Sequence, residues 1–582
     1  MCRSPQTGWV PHPSRQPQTK DPLVNSPSPA TPSTRALRGI AITAGHQVGV
    51  NRDPVYVWAL EPAETRRVAI VSGGGAGHEP LHGGFVGAGG LDAACPGEVF
   101  TSPHSRQIFE ASDRVKRDGG VLQIVKNYTG DRINFAIAAE RLRARGVEVA
   151  EVVVDDDLGS EGHEVGRRGT GATLVVEKIL GAAADRGLAL AELADLGARV
   201  ADRSRSVAVA RQGHTAPDSR TRGFEVEPGS LEYGVGIHGE AARQTIDEPV
   251  HVDLAQRMVD ELLDALGDLP HGVIAVVNGL GGAPNLELLG LLGDVELALE
   301  ARGVALRSGV AGTFVSALDM DGFSITLTEA DPDWMDDWYA SHSTPGLPSP
   351  RPWDPDVDRG TGPEEDAAPT AEPSAWLRAL ADHFTQSRAD YDDLDRRAGD
   401  GDFGGNMELA FASSVTRAAG PDASLADDLR SMADAFGNDV GGSSGPLLGL
   451  VLTGLAEAVE DAGDGDLPPA VGEGLRAGMA SVTRAGGAQP GDRTFLDALA
   501  PAVADAGTPL DAAAVQRAVD GAAATADLVG KRGRSSYVGD KAIGVPDPGA
   551  VALVQVLAAI VERLTGDDLS EPREQAQRLL HD

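Results

Sequence analysis

The sequence of 582 residues predicts an α/β region followed by an all-α region. Three observations carry that prediction. Between residues 37 and 342, short apolar runs that stop in glycine or polar loops alternate with helical patterns. From 373 to 582, helix follows helix with almost no strand signal. The stretch 343–372 between them is rich in proline, glycine and acidic residues, the composition of an interdomain linker. A chain this long exceeds what one hydrophobic core organises, so at least two domains are expected.

Taken in order, residues 1–36 are rich in Pro, Ser and Thr, carry no apolar period and are expected to be a disordered tail. The run 68–71 leads into a glycine-rich turn, and 121–125 leads into Lys126-Asn127-Tyr128. Residues 147–154 alternate and stop in three aspartates; 273–277 precede Asn278-Gly279, and 323–327 form a further apolar run. Buried strands that feed loops and then helices imply mixed or parallel sheets. After the linker, helical patterns cover 374–387, 407–418, 424–436, 447–462, 513–526 and 548–564.

The formal net charge of −37 argues against a nucleic-acid partner and against anionic membrane surfaces. It leaves room for nucleotides, because Mg²⁺ and backbone N–H groups hold phosphates locally. Only Cys2 and Cys95 are present, so no disulfide framework is expected, and no run of about 18 apolar residues stands out. These features predict a cytoplasmic protein.

Four constellations carry chemistry. Gly73–Pro80 reads GGGAGHEP; its glycines allow a tight turn and close approach to a ligand, and it is neither a dinucleotide fingerprint nor a Walker A loop. His78 within it is either a catalytic group or an incidental turn residue. Lys126–Asp131 (KNYTGD) places a cation and a base in one loop, either to handle hydroxyls or as a surface ion pair. Tyr233–Glu240 sets His238 among three glycines, open to a small carbonyl or simply at the end of a strand. Asp395, Asp400 and Asp402 span a helix end and a glycine turn. Three converging carboxylates suit Mg²⁺ or Ca²⁺; the plainer reading is a solvated acidic turn. Further Gly/Ser loops before helices, at 441–445, 491–494 and 533–537, suit phosphate groups.

With VNGLGG (277–282), DMDGFS (319–324), GGSSG, GDRTFLDAL, GRSSYVGD and DPGA, these motifs resemble the dihydroxyacetone kinase family. Their order is similar to its single-chain ATP-dependent type, over about residues 37–582. The resemblance implies a dihydroxyacetone-binding domain over 37–342 and a nucleotide-binding domain over 373–582, the latter an eight-helix barrel. It implies ATP-dependent phosphorylation of dihydroxyacetone, with His238 forming a hemiaminal and His78 and Asp131 assisting deprotonation. Gly75, Ala76, Gly77, His78, Lys126 and Asp131 would line the ketose site. Phe403, Gly404, Gly405, Asn406, Ser443, Ser444, Gly486, Phe495, Arg534, Asp547, Pro548 and Gly549 would surround ATP, and Asp395, Asp400 and Asp402 would hold Mg²⁺. A homodimer is implied by resemblance alone. Erythrulose or glyceraldehyde as substrate, a cyclising lyase activity on FAD, a phosphocarrier as donor and a non-catalytic ketose sensor are the alternatives. The chain departs from the family pattern at Ala76 (commonly Ser), Phe403 (commonly His or Cys), Pro446 and Leu448 (commonly Ala and Tyr), and in its opening segment.

Overall fold

The computed structural model describes residues 31–581 except 218, 241, 356–370, 464, 505, 506, 508, 533 and 534. The chain forms two compact units that divide between residues 358 and 359. Residues 1–30 of the expected tail lie outside the described residues, and its last residues, 32–36, are not a tail but the start of helix α1 (Pro32–Ala44). Its start is local chemistry: the Thr31 hydroxyl accepts from the Thr34 N–H, and Pro32 occupies a first-turn position where its missing donor costs nothing.

The first unit holds two six-stranded mixed sheets. Strands β1 (Val48–Arg52), β2 (Val55–Ala59), β3 (Ala69–Ala76), β4 (Ala93–Val99), β5 (Val121–Lys126) and β6 (Val149–Val154) lie in the order β1-β2-β4-β3-β5-β6. The β4-β3-β5-β6 pairings are parallel, and every residue of β3 and β5 is buried. This is why those strands read as continuous apolar runs. Helices α2 (Ser105–Val115) and α3 (Thr129–Arg143) cover one face; α4 (Ala172–Asp185) and α5 (Leu190–Asp202) cover the other. The second sheet runs β11 (Leu306–Gly312), β10 (Val273–Gly279), β12 (Asp321–Glu329), β7 (Ser204–Gln212), β8 (Ser230–Tyr233) and β9 (Gln244–Asp247). Helices α6 (His251–Leu266) and α7 (Asn285–Ala301) pack against it, and α8 (Pro332–Tyr339) packs on α4. Apolar nearly all round, α4 sits between the two sheets, in contact with β3, β5 and β6 of one and β7 and β12 of the other.

The glycine-rich stretch corrects one expectation. Gly73 to Ala76 is not a turn after the strand but the end of β3, paired with β4 through Gly73–Cys95, Gly74–Pro96 and Ala76–Val99. The turn starts at Gly77, whose φ of +100° favours glycine. Of the expected linker, 356–370 lies outside the described residues. Residues 343–355 pack on the first unit, with the Trp353 N–H on the Arg307 carbonyl and the Ser308 hydroxyl on the Arg351 carbonyl.

The second unit is helical throughout its described residues: α9 (Ala375–Gln386), α10 (Arg388–Ala398), α11 (Phe403–Thr416), α12 (Leu425–Asn438), α13 (Ser444–Ala462), α14 (Leu467–Gly486), α15 (Leu496–Ala502), α16 (Ala512–Ala524), α17 (Ser535–Val538), α18 (Pro548–Thr565) and α19 (Ser570–Leu579). Eight of these have eleven residues or more. The 20-residue α14 has no counterpart among the expected helices, because Pro468, Pro469 and the interior glycines Gly472, Gly474 and Gly478 break its pattern. Those glycines serve packing: a Cβ on Gly474 would stand 2.6 Å from the Gly454 carbonyl oxygen, and one on Gly478 2.7 Å from the Val451 Cα. Backbones of α13 and α14 therefore touch where side chains would separate them. By length and composition α18 is apolar enough to cross a membrane, but every residue from Pro548 to Val561 is buried in the helical core.

Candidate active site and nucleotide cavity

His78 stands just past β3, fully buried. Its Nδ1 lies 2.7 Å from the Ser316 carbonyl oxygen, which only accepts, so Nδ1 carries the proton and Nε2 is a bare lone pair. Nε2 has no protein partner. The loop that supplies Ser316 is held by Asn278 at the end of β10, whose side chain accepts from Phe314 and Val315 N–H and donates to the Val315 carbonyl. The second sheet thus sets the tautomer of a histidine on the first. Burial lowers the His78 pKa well below 6.5, and the Lys126 and His238 charges lower it further.

This has a measurable consequence. His78 stays neutral when folded but takes a proton in the unfolded chain below pH 6.5, so its contribution to stability is lost as pH falls through that value. Between about pH 7.5 and about pH 5.5, the urea midpoint of wild type is expected to drop more than that of His78→Gln. Equal drops would show that His78 titrates alike in both states.

The glycines of β3 make space for the neighbours of His78. A Cβ on Gly74 would sit 2.7 Å from Lys126 Nζ, and one on Gly75 2.8 Å from Phe100 Cα. Lys126, at the end of β5, is buried with no partner on Nζ, and burial lowers its pKa against the raising effects of Asp131, Glu177, Glu240 and Glu79. Asp131 lies in the first turn of α3, 3 % exposed, with Oδ1 unpaired. Phe100 stacks on His78 with ring centroids 5.1 Å apart.

His238 comes from the loop after β8, and its ring meets that of His78 edge-on at 4.8 Å. Gly239 has φ +78°, which folds the chain back so that Glu240 reaches His238 twice. Oε2 accepts from the His238 backbone N–H and Oε1 lies 2.9 Å from Nδ1. With Nδ1–H bound to a carboxylate, Nε2 is left as a nucleophile. Burial alone would raise the Glu240 carboxyl, but the hydrogen bond and charge of His238 and the charge of Arg168 outweigh it and bring it down to about 2. Tyr128 closes the box, its ring 4.7 Å from His238. His78, Lys126, Asp131 and His238 therefore gather at one place, as expected from separate motifs. Glu240, Phe100, Tyr128 and His214, whose ring meets Phe100 edge-on at 4.9 Å, are added by the structure. Of these only Glu240 left a signal in the sequence, an acidic residue two places after a histidine across a glycine.

In the second unit, Asp395 lies in the last turn of α10 and its side chain reaches the loop that follows. Its Oδ2 accepts from the N–H groups of Gly401, Asp402 and Phe403 at 3.0, 3.1 and 3.2 Å. Oxygens of Asp395, Asp400 and Asp402 all lie within 4.8 Å of one another, a hard donor set that fits a small divalent cation. Burial raises the Asp395 carboxyl, and the neighbouring Asp400 adds to this. Beside them is a cavity of about 250 Å³, lined by Phe403, Asn406, Ser443, Ser444, Gly486, Phe495, Asp547, Pro548 and Gly549 of the expected set. Gly404 and Gly405 are not in its wall: a Cβ on Gly404 would meet the Arg388 carbonyl oxygen at 2.1 Å, so this glycine serves the packing of α11 on α10. Arg534 lies outside the described residues. Arg493 and Leu447 also line the cavity; Arg493 is 1 % exposed and donates through Nη2 to the Ala542 and Val545 carbonyls. Asp547 caps α18 through the Ala550 N–H, and burial pushes its carboxyl up to about 6.

Comparison with known proteins matches residues 38–346 to the sequence family described as the Dak1 domain and 397–562 to the DAK2 domain. The chain belongs to the dihydroxyacetone kinase family. It is accordingly a phosphotransferase with both family domains on one chain. The bovine protein named triokinase/FMN cyclase is 34 % identical over 574 residues, covering 90 % of this chain and 94 % of that one. An L-erythrulose 1-kinase of Mycolicibacterium smegmatis is 34 % identical over 536 residues, covering 85 % and 92 %. The crystal structure of the dihydroxyacetone kinase from C. freundii in complex with AMP-PNP and Mg²⁺ is 30 % identical with a TM-score of 0.56, over 91 % of this chain and 98 % of that one.

Proposed function

We propose that this member of the dihydroxyacetone kinase family uses ATP to phosphorylate a short ketose, dihydroxyacetone first among them, held covalently on His238. One observation carries the reading. Two histidine rings 4.8 Å apart are both held through Nδ1, one by a carbonyl and one by a carboxylate, so that each has Nε2 available. A nucleophile and a base side by side are what capture and deprotonation of a hydroxyketone require.

His238 Nε2 bonds to the ketose carbonyl carbon; the electron pair of the opened C=O bond passes to oxygen, which is protonated from solvent. Glu240 stabilises the positive charge that develops on the ring. Glycerol has no carbonyl and is not captured. The adduct places a terminal hydroxyl by His78 Nε2 and Asp131, which take its proton as the oxygen attacks the terminal phosphorus of ATP and ADP leaves. Lys126, buried and acting electrostatically on His78 and with Asp131, favours the developing negative charge. Asp395, Asp400 and Asp402 would hold Mg²⁺, which when bound neutralises phosphate charge.

Replacing Glu240 by Gln keeps a hydrogen bond to Nδ1 but removes the charge. Ketose turnover is expected to fall on the order of 10²-fold while Mg·ATP affinity stays unchanged. Unaltered turnover would remove Glu240 from the mechanism. The proposal itself is tested by coupled ADP release with Mg·ATP and dihydroxyacetone, glyceraldehyde, erythrulose or glycerol. Turnover with dihydroxyacetone and none with glycerol supports it. Turnover with erythrulose alone keeps the capture and changes the substrate, in line with the named erythrulose kinase among the relatives. No turnover with any carbonyl overturns it.

A further inference from the structure

We propose that His214 is a specificity-determining residue of the ketose site, selecting ketoses that carry a hydroxyl on the carbon remote from the one phosphorylated. The inference rests on the ketose reading above. His214 opens the loop between β7 and β8. It is 8 % exposed, and its Nδ1 is buried with no hydrogen-bond partner. Leaving a buried ring nitrogen unpaired is unfavourable, so a residue in this state is suited to taking a partner.

Its position says which partner. The His214 ring meets the Phe100 ring edge-on at 4.9 Å, and that same ring touches both His78 and His238. A Cβ on Gly239, next to the capturing histidine, would stand 2.7 Å from His214 Cε1. The ring is therefore packed directly against the capture loop. Its backbone is pinned as well: the His214 carbonyl accepts from Gly223, the Gly213 N–H donates to the Phe224 carbonyl, and Thr215 donates twice to Asp319. Within the loop the imidazole packs on Gly223, where a Cβ would stand 2.9 Å from Cε1.

A captured ketose has two arms. One must lie by His78, Asp131 and Lys126, the polar groups carried by the first sheet. The other would run past Gly239 and Phe100, against which the His214 ring packs with Nδ1 unpaired; Tyr128 Oη, on a ring 4.7 Å from His238, is a second buried polar atom there without a partner. A hydroxyl on that arm can donate to or accept from His214 Nδ1, whichever tautomer is present. A methyl group can do neither. Dihydroxyacetone and longer ketoses with a hydroxyl there would be favoured over monohydroxy ketones.

The test compares dihydroxyacetone with hydroxyacetone, which keeps the carbonyl and one hydroxyl but lacks the other, in the full chain with Mg·ATP. In His214→Phe, kcat/KM for dihydroxyacetone is expected to fall about tenfold and that for hydroxyacetone to hold within about twofold, so discrimination collapses. His214→Asn, which retains a donor and an acceptor, should recover part of the lost discrimination. Equal losses on both ketones, or none, would overturn the proposal, because a purely structural residue does not distinguish them. If His214→Phe fails to fold, His214→Ala against His214→Asn gives the same contrast. A wild-type chain that phosphorylates neither ketone would overturn the ketose reading and this inference with it, a result that does not depend on residue 214.

Discussion

Replacing His238 by alanine is expected to lower ketose phosphorylation by at least about 10³-fold, because it removes the bond that converts a free ketose into a positioned one. The substitution is conservative for the fold. His238 is in a loop, its side chain is 21 % exposed, and Gly239 rather than the imidazole sets the turn. What changes is local chemistry: Glu240 loses its hydrogen-bond partner at Nδ1, and its carboxyl should rise from about 2. Intact-protein mass spectrometry after borohydride-free denaturation at low temperature, with ketose present, would read the adduct directly. An undiminished adduct in the alanine variant would sink the covalent assignment. The same variant should still bind Mg·ATP, since the nucleotide cavity belongs to the second unit.

The second large effect is expected at the carboxylate cluster. Asp395 is a poor place to test it, because its Oδ2 also holds three backbone N–H groups of the turn, and its loss would disturb the loop itself. Asp400 is exposed and is the better probe. Asp400→Ala should reduce Mg²⁺-dependent ADP release on the order of 10³-fold, the several kcal/mol that a metal ion contributes to phosphoryl transfer. Ketose capture should stay at the wild-type level. Turnover at the wild-type rate over a Mg²⁺ titration would refute the metal assignment. Loss of both activities together would point to a folding defect instead.

Much of this was legible in the chain before any coordinates. The alternation of apolar runs and helices marked the first unit, and the helical periodicity marked the second. The motifs carrying His78, Lys126, Asp131, His238 and the three aspartates each stood in one short segment, where residue type and glycine spacing were readable. Elements whose pattern is broken for packing reasons were not. Strand β3 runs through a glycine stretch that reads as a turn, and α14 runs through glycines and prolines that read as loop. In both, the missing side chains admit a neighbour: Lys126 and Phe100 against β3, and α13 against α14. Propensity sees only the cost of such residues, while tertiary packing sees the space they leave.

The sequence by itself determined the two-unit plan, the helical or strand character of most segments, and the chemical groups available for catalysis. Only the tertiary structure decided which of those groups work together and in what protonation state. His78 is far from Ser316 and His238 in the chain, yet the two sheets and the buried α4 between them bring all three to one point. The tautomer of His78 depends on a carbonyl more than two hundred residues away. Local sequence pattern reports spacing along one segment; hydrogen-bond partners and burial arise from elements meeting across the fold, and those set the pKa values and the free lone pairs on which the chemistry depends.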